Sequence, residues 1–389
     1  MDDKVTIKYS LLLPLVFMLL GCATTSSPLQ LAKYQTNLAY QYPPISIFFD
    51  DISPELANEC RHFNDSSALN HCRVNAFEPE LFWQSFEKTN LFNQVNFAGS
   101  DDPYQVVIAT ATLDGETAQE LSQSVLSGAS LLLIPMENKQ IVKAEVSIYW
   151  KNLKLRQYQY ELAHVKKTSL FNDARQADAD FSDRLISHII ADAQQDELFS
   201  AKFLRHHLSA SDYEKNLTLP PTIAGFELAQ RLVHNDPLYG SLSTYASQAH
   251  HNDKIDIFVY PIRQVLLEDQ DSVLAKEMQY LKREIRMFAE QLQWQELNFA
   301  KASKLVIDGD AKQIKGLSFE ATYLQDFGEV NYSSTYLFMM QDKFIKVRAT
   351  FPKRYLDEHI SQAITAIKVP QESLFMAQLR ASQRSKSLD

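Results

Sequence analysis

Between Val142 and Glu161 the chain carries two alternating runs back to back, and no other stretch restricts its fold as tightly. Val142, Ala144, Val146, Ile148 and Trp150 alternate with Lys143, Glu145, Ser147 and Tyr149. After Lys151-Asn152, Leu153, Leu155, Gln157, Gln159 and Glu161 alternate with Lys154, Arg156, Tyr158 and Tyr160. Successive strand side chains point to opposite faces, so a period of two describes a half-buried sheet. Two such runs separated by two residues predict an antiparallel hairpin turning at Lys151-Asn152. A helical period would scatter the same apolar residues around the axis.

The rest of the first half supplies strands and helices to pack on that hairpin. Ile45 to Phe49 is a β-rich run bounded by Pro43-Pro44 and Asp50-Asp51. Phe77 to Leu91 reads as a helix, with Glu78, Pro79 and Glu80 in its first turn and Leu81, Phe82, Phe86 and Leu91 on one face. Tyr104 to Leu113 is a strand, Glu116 to Ser127 a second helix, and Leu131 to Pro135 an apolar run. Asp178 to Asp196 closes the half as a helix with Phe181, Leu185, Ile189, Ile190 and Ala193 on one face.

The polar, Pro-bearing stretch Ser209 to Thr222 marks a domain boundary. Beyond it, Ile223 to Leu228 and Lys254 to Pro261 read as strands. A long helix is expected from about Ser272 to Ser303, with Leu274, Met278, Leu281, Ile285, Phe288 and Leu292 in one stripe. That stripe suits packing on the domain's own sheet or against a partner helix. Strands at 316–325, 329–340 and 343–351 follow, with Gln341-Asp342 as the turn between the last two, and then a helix from Tyr355 to Ile367. The expected fold class is α+β, with two domains that are each an antiparallel sheet covered by helices. Their boundaries fall at 37–208 and 223–369, with a linker at 209–222 and a polar tail at 370–389.

The N-terminus gives an address. Lys4 and Lys8 precede the short apolar run Leu11 to Leu20, and Leu19-Leu20-Gly21-Cys22 closes it. The run is too short to span a bilayer, which needs about 20 apolar residues, and it suits a secretory signal. Its ending resembles the bacterial lipobox, with residues 1–21 as the signal peptide. That resemblance implies lipidation of Cys22, a flexible tether at 22–36 and, with Ala23 where Asp would retain the chain in the inner membrane, an outer-membrane address facing the periplasm. Stable anchoring takes two or more acyl chains. Cys60 and Cys72 then remain as a pair in an oxidising compartment, where a disulfide is expected. Cys60, His62, His71 and Cys72 also offer four zinc donors, at a spacing unlike common zinc sites.

Composition narrows the chemistry. A net charge of −10 argues against a nucleic-acid partner, which needs a clustered basic face. Only 9 glycines in 389 residues leave little for phosphate-cradling loops, and no G-x-S-x-G, H-E-x-x-H, P-loop or Rossmann signature occurs. No metal site and no cofactor is expected: His250, His251, Asp253 and Asp256 read as an exposed loop entering a strand, and Arg348, Glu227 and Glu320 as outward-facing strand residues.

Two resemblances follow from particular residues. Lys88-Thr89-Asn90-Leu91-Phe92-Asn93-Gln94-Val95, the Tyr104 strand and Ser130 to Pro135 resemble the TolB amino-terminal and CsgG-like envelope lipoprotein domains. Ile257-Phe258-Val259-Tyr260-Pro261, Tyr336-Leu337-Phe338, Lys346 to Pro352 and the following helix resemble the PsbP-like superfamily and its DcrB-type lipoproteins. These resemblances imply α+β folds that bind or assemble rather than catalyse. The expectation is therefore a non-catalytic, lipid-anchored module for an envelope protein partner. A carrier of an apolar ligand or lipid, its pocket lined by Phe288, Leu292, Phe319 and Phe338, is the alternative; a metal-dependent hydrolase at the His250 region is a third.

Overall fold

The computed structural model describes residues 30–38, 40–97, 102–115, 136–168, 174–264, 269–309, 313–324 and 328–386. Cys22, the helix expected at 116–127 and the run 131–135 lie outside them. The chain divides into two compact units, Met1–Gln195 and Asp196–Asp389. Each is α+β, built on an antiparallel-rich sheet.

In the first unit the order is β1 (Ile45–Phe49), α1 (Pro54–Ser66), β2 (Asn70–Val74), α2 (Pro79–Thr89), β3 (Val95–Phe97), β4 (Tyr104–Gly115), β5 (Met136–Trp150), β6 (Leu153–Thr168) and α3 (Ala174–Gln195). The strands lie in the order β3-β1-β4-β5-β6, and β1 runs parallel to both its neighbours. The β5–β6 hairpin turns at Lys151 and Asn152, with φ of 45° and 67°, the left-handed pair of a type I′ turn. Val142, Ala144, Val146, Ile148 and Trp150 are all buried, as the alternation predicts. Strand β6 departs from it: a bulge at Leu155 sets Ile148 opposite Arg156 and Tyr149 opposite Lys154. One extra residue reverses the facing of every residue beyond it. Tyr158, Tyr160 and His164 consequently turn toward α3, where Tyr160 donates to Asp192 at 2.9 Å and His164 meets Asp178 at 2.8 Å.

Helices α2 and α3 fill this face with Phe82, Phe86, Phe181, Leu185 and Ile189. Residues 32–35, part of the expected tether, lie on α3. The Ala32 N–H donates to Ser187 Oγ at 2.9 Å, and the backbone of Gln35 exchanges hydrogen bonds with the Gln194 amide at 2.7 and 2.9 Å. The segment around the cysteine pair contains helix α1. Ser53 caps it by accepting from Leu56 N at 3.2 Å, and Pro54 occupies the first turn. Only Leu56 and Cys60 of that helix are buried, too few for an apolar stripe to show in the sequence. Cys60 on α1 and Cys72 on β2 form the expected disulfide, with Cα atoms 5.5 Å apart. It staples a helix with little core of its own to the sheet.

In the second unit the helices are α4 (Ala201–His207), α5 (Tyr213–Asn216), α6 (Gln270–Gln291), α7 (Arg354–Ala366) and α8 (Leu374–Lys386). The strands are β7 (Thr222–Ile223), β8 (Phe226–Val233), β9 (Ser241–Ala246), β10 (Lys254–Pro261), β11 (Gln295–Phe299), β12 (Ser303–Asp308), β13 (Gln313–Leu324), β14 (Val330–Met340) and β15 (Lys343–Ala349). They pair antiparallel in the order β11-β13-β14-β15-β10-β9-β8-β7, with β12 also on β13. The strand expected at 223–228 is instead a hairpin turning at Ala224 and Gly225, with φ of 50° and 82°. Tyr213 and Leu217, in the expected linker, are buried in the core of this unit.

Helix α6 stops well short of Ser303. Gln293 takes φ of 55°, Trp294 N donates to Ala289 O at 2.8 Å and Gln293 N to Glu290 O at 3.3 Å, the paired bonds of a Schellman ending. Strands β11 and β12 occupy the remainder of the expected helix. Leu297 and Phe299 of β11 return to the core under α6, at the alternate positions of a strand.

Residues 370–389, read as a polar tail, include α8, which is anchored by charge. Arg380 donates to Ile262 O at 2.7 Å and Asp342 Oδ2 at 3.1 Å, and it also pairs with Glu372. Asp342 in turn pairs with Lys343, whose side chain is wholly buried. Burial pulls the Lys343 ammonium pKa down while Asp342 holds it up. One turn residue thus neutralises two buried cations.

Two outcomes follow. Cys60→Ser should lower stability by about 3 kcal/mol, read by thermal melting, and dithiothreitol should reproduce the loss in the unsubstituted protein. Asp342→Asn, which leaves Lys343 and Arg380 without their shared counter-charge, should cost about 3 kcal/mol or more by urea denaturation.

Candidate binding face of the second unit

Helix α6 seats Val273, Leu274, Met278, Leu281, Ile285 and Ala289 on the sheet. Phe319 and Ala321 of β13, Leu337 of β14 and Phe344 of β15 receive them. The opposite sheet face carries Tyr336, Phe338, Ile345, Val347 and Ile257 and is closed by Leu356, Ile360 and Ile364 of α7. Alternation therefore allots each strand residue to one helix or the other.

The α6 face also bears a polar lane across β10, β15 and β14. Lys346 pairs in register with Phe258, its Nζ 4.0 Å from the ring centroid and 3.5 Å from Glu284 Oε2 on α6. The Tyr260 hydroxyl donates to Glu277 Oε1 at 2.7 Å. Arg348 Nε donates to Ser333 Oγ at 3.1 Å. Asp256, opposite Arg348, accepts from the Thr244 hydroxyl at 2.7 Å and lies 2.9 Å from Lys254 Nζ. Burial raises the Glu277 carboxyl above its ordinary pKa, against the opposing pull of its Tyr260 bond and of Lys346. Burial likewise pushes Lys346 down, with Glu284 opposing. Such a lane can hold charge and orient polar groups.

The four residues expected to line an apolar pocket are not brought together. Phe319 is buried under α6, whereas Phe338 is buried on the α7 face, its ring against Gly316, where a Cβ would stand 2.4 Å from a ring carbon. Phe288 and Leu292 are 42% and 61% exposed. The inner stripe passes from Ile285 to Ala289 instead, because a straight helix slips by about 20° per heptad and a small residue suits close approach to the sheet. Tyr280 and Met287, 56% and 66% exposed, join Phe288 and Leu292 in a second apolar stripe. Its spacing of seven, one and four residues was present in the sequence, overshadowed by the inner stripe.

The remaining candidates are placed singly. Arg348, read as outward-facing, is half-buried, with its Nε donating to Ser333 Oγ. Glu320 accepts from Lys353 N at 2.7 Å at the start of α7, while Glu227 is exposed. His250 stacks on Phe226 at 6.4 Å and Asp253 accepts from Thr350, apart from the Asp256 cluster. Among the described residues no group of three or more His, Cys, Asp and Glu gathers as for a metal ion. A hollow of about 360 Å³ in the first unit is lined by Glu55, Glu59, Lys143, Glu145, Tyr160 and Glu161. There Lys143 pairs with Glu59 and Glu161, and Glu145 accepts from Ser53. Among the described residues no helix is long and apolar enough to cross a membrane.

No protein-family model and no curated protein matches this chain. Among solved structures a weak neighbour is the solution structure of cyanobacterial PsbP (CyanoP) from Synechocystis sp. PCC 6803. It is 12% identical, covers 40% of this chain and 92% of its own, and has a TM-score of 0.26. Another is a Pseudomonas aeruginosa protein of unknown function described as a putative regulator, 14% identical over 32% of this chain and 79% of its own, with a TM-score of 0.21. Similarity at these scores carries no functional argument.

The raised Glu277 gives a pH-dependent expectation. A carboxyl whose folded pKa lies above its unfolded value stabilises the fold at acid pH and loses that contribution as pH rises through the folded pKa. Glu277→Gln keeps an acceptor for Tyr260 without the buried charge. Its melting temperature should exceed that of the unsubstituted protein above neutral pH, and the gap should close as pH falls toward the ordinary carboxylate range.

Proposed function

We propose that this chain is a non-catalytic, lipid-anchored periplasmic module of the bacterial outer membrane, and that the outer stripe of α6 docks an envelope protein. The observation that carries this reading is the exposed set Tyr280, Met287, Phe288 and Leu292 on a helix whose other side is fully committed to the core. Contiguous exposed apolar surface on a soluble unit is characteristic of interaction sites, and Met adapts to varied partners. Exposed Lys276 and Arg283 flank the stripe, so the complementary partner surface is an apolar ridge with acidic neighbours. The PsbP-like character of the second unit and the TolB- or CsgG-like character of the first belong to this same reading. Anchoring through Cys22 would confine the search to two dimensions and raise the effective concentration of a weakly held partner.

Tests use the full chain in its own envelope. A photo-crosslinking residue in place of Met287 should give a discrete protein adduct, and one in place of exposed Tyr355 on α7 should not. Cys22→Ser should abolish acyl labelling and reduce the adduct several-fold. An adduct pattern unchanged by Tyr280→Glu, or none at all beside a co-purifying lipid, would turn the reading toward the carrier.

A further inference from the structure

The chain fastens itself to the first unit earlier than its polar start suggests. Ala32 N–H donates to Ser187 Oγ at 2.9 Å, a side chain 2% exposed on α3. The Gln194 amide accepts from Gln35 N at 2.7 Å and donates to Gln35 O at 2.9 Å, so one side chain meets a backbone unit as a neighbouring strand would. Three steps of extended chain advance about 10 Å, and the seven steps from Ser187 to Gln194 rise by about the same distance along a helix. The segment 32–35 therefore runs alongside α3, matched to it in length. The next main-chain tie among the described residues is at Tyr42, whose N–H donates to Leu91 O at 2.7 Å while Asn93 N donates to Tyr42 O at 2.9 Å. Of the expected tether, ten residues, Cys22 to Leu31, precede the first tie.

An extended chain gains at most about 3.3–3.6 Å per residue, so ten residues reach about 35 Å. With the bonds to α3 open, the chain would be free as far as Tyr42, and the reach from Cys22 would double to about 70 Å. We propose that the bonds of Ala32 and Gln35 to Ser187 and Gln194 form a clasp that sets the standoff of the first unit, holding its α3 side within about 35 Å of the lipid headgroups. The clasp acts on the acyl anchor at Cys22 proposed above, and so rests on that reading. It adds a limit on distance and a preferred side: a short lead that enters beside α3 keeps that helix toward the bilayer, whereas a lead twice as long leaves the unit free to turn. The clasp can open without disturbing the packing of α3, whose core side chains Phe181, Leu185 and Ile189 are buried apart from these bonds.

The test uses the full acylated chain in phosphatidylethanolamine–phosphatidylglycerol vesicles that carry an energy acceptor on their headgroups. A donor dye is attached at Gln195→Cys, at the exposed end of α3; with Cys60 and Cys72 bonded to each other and Cys22 acylated, only the new thiol reacts. Ser187→Ala combined with Gln194→Ala removes all three bonds of the clasp. Deuterium exchange over residues 30–36 should show two slow amides, Ala32 and Gln35, and both should become fast in the double variant. Energy transfer to the headgroups should fall in that variant, and it should fall likewise when ten Gly-Ser residues are inserted after Ser27, which lengthens the lead and leaves the clasp closed. Should the double variant fail to fold, the insertion tests the standoff and exchange in the unsubstituted chain tests the clasp. Fast exchange at Ala32 and Gln35 in the unsubstituted chain overturns the clasp, whatever the anchor does. Slow exchange in a chain that does not associate with vesicles overturns the anchor, and the standoff with it. Transfer that neither release nor insertion alters overturns the standoff and leaves the anchor in place.

Discussion

Strand β15 is covered on both faces, and that two-sided burial governs the second unit. Phe344 goes under α6 while Ile345 and Val347 go under α7, and β14 and β10 repeat the division. Polar residues on such a strand are partly withdrawn from water, and each takes a partner on its own face. Lys346 finds Glu284, Asp256 finds Thr244 and Lys254, and Arg348 finds only Ser333. The polar lane is thus a consequence of covering a sheet whose alternate residues are not all apolar.

The same constraint explains why α6 has two apolar faces of different standing. The inner one is set by what the sheet presents: Phe319, Ala321, Leu337 and Phe344. Once Ala289 rather than Phe288 completes that contact, Phe288 and Leu292 are left beside Tyr280 and Met287. A helix that only closed a core would not need them.

In the first unit the comparable device is covalent. Helix α1 buries little, and its place on the sheet is secured by the Cys60–Cys72 bond and by Ser53 and Lys143 contacts to Glu145 and Glu59. The long hairpin needs no such help, since β5 is buried along one full face. Where apolar burial is extensive the sequence pattern and the fold agree; where it is sparse, individual bonds take over, and these are hard to foresee.

By itself the sequence determined the α+β class, the β5–β6 hairpin with its turn at Lys151-Asn152, helices α2, α3 and α7, strand β10 and the pairing of Cys60 with Cys72. All of these rest on local periods, tight turns or a cysteine pair that chemistry can close. Only the tertiary structure decided the bulge at Leu155, the Schellman ending of α6, the hairpin at Ala224-Gly225 and the docking of α8 through Arg380. It also sent Phe319 and Phe338 to opposite faces. Those outcomes depend on which residue from a distant strand arrives opposite, and a period read along one segment cannot contain that information.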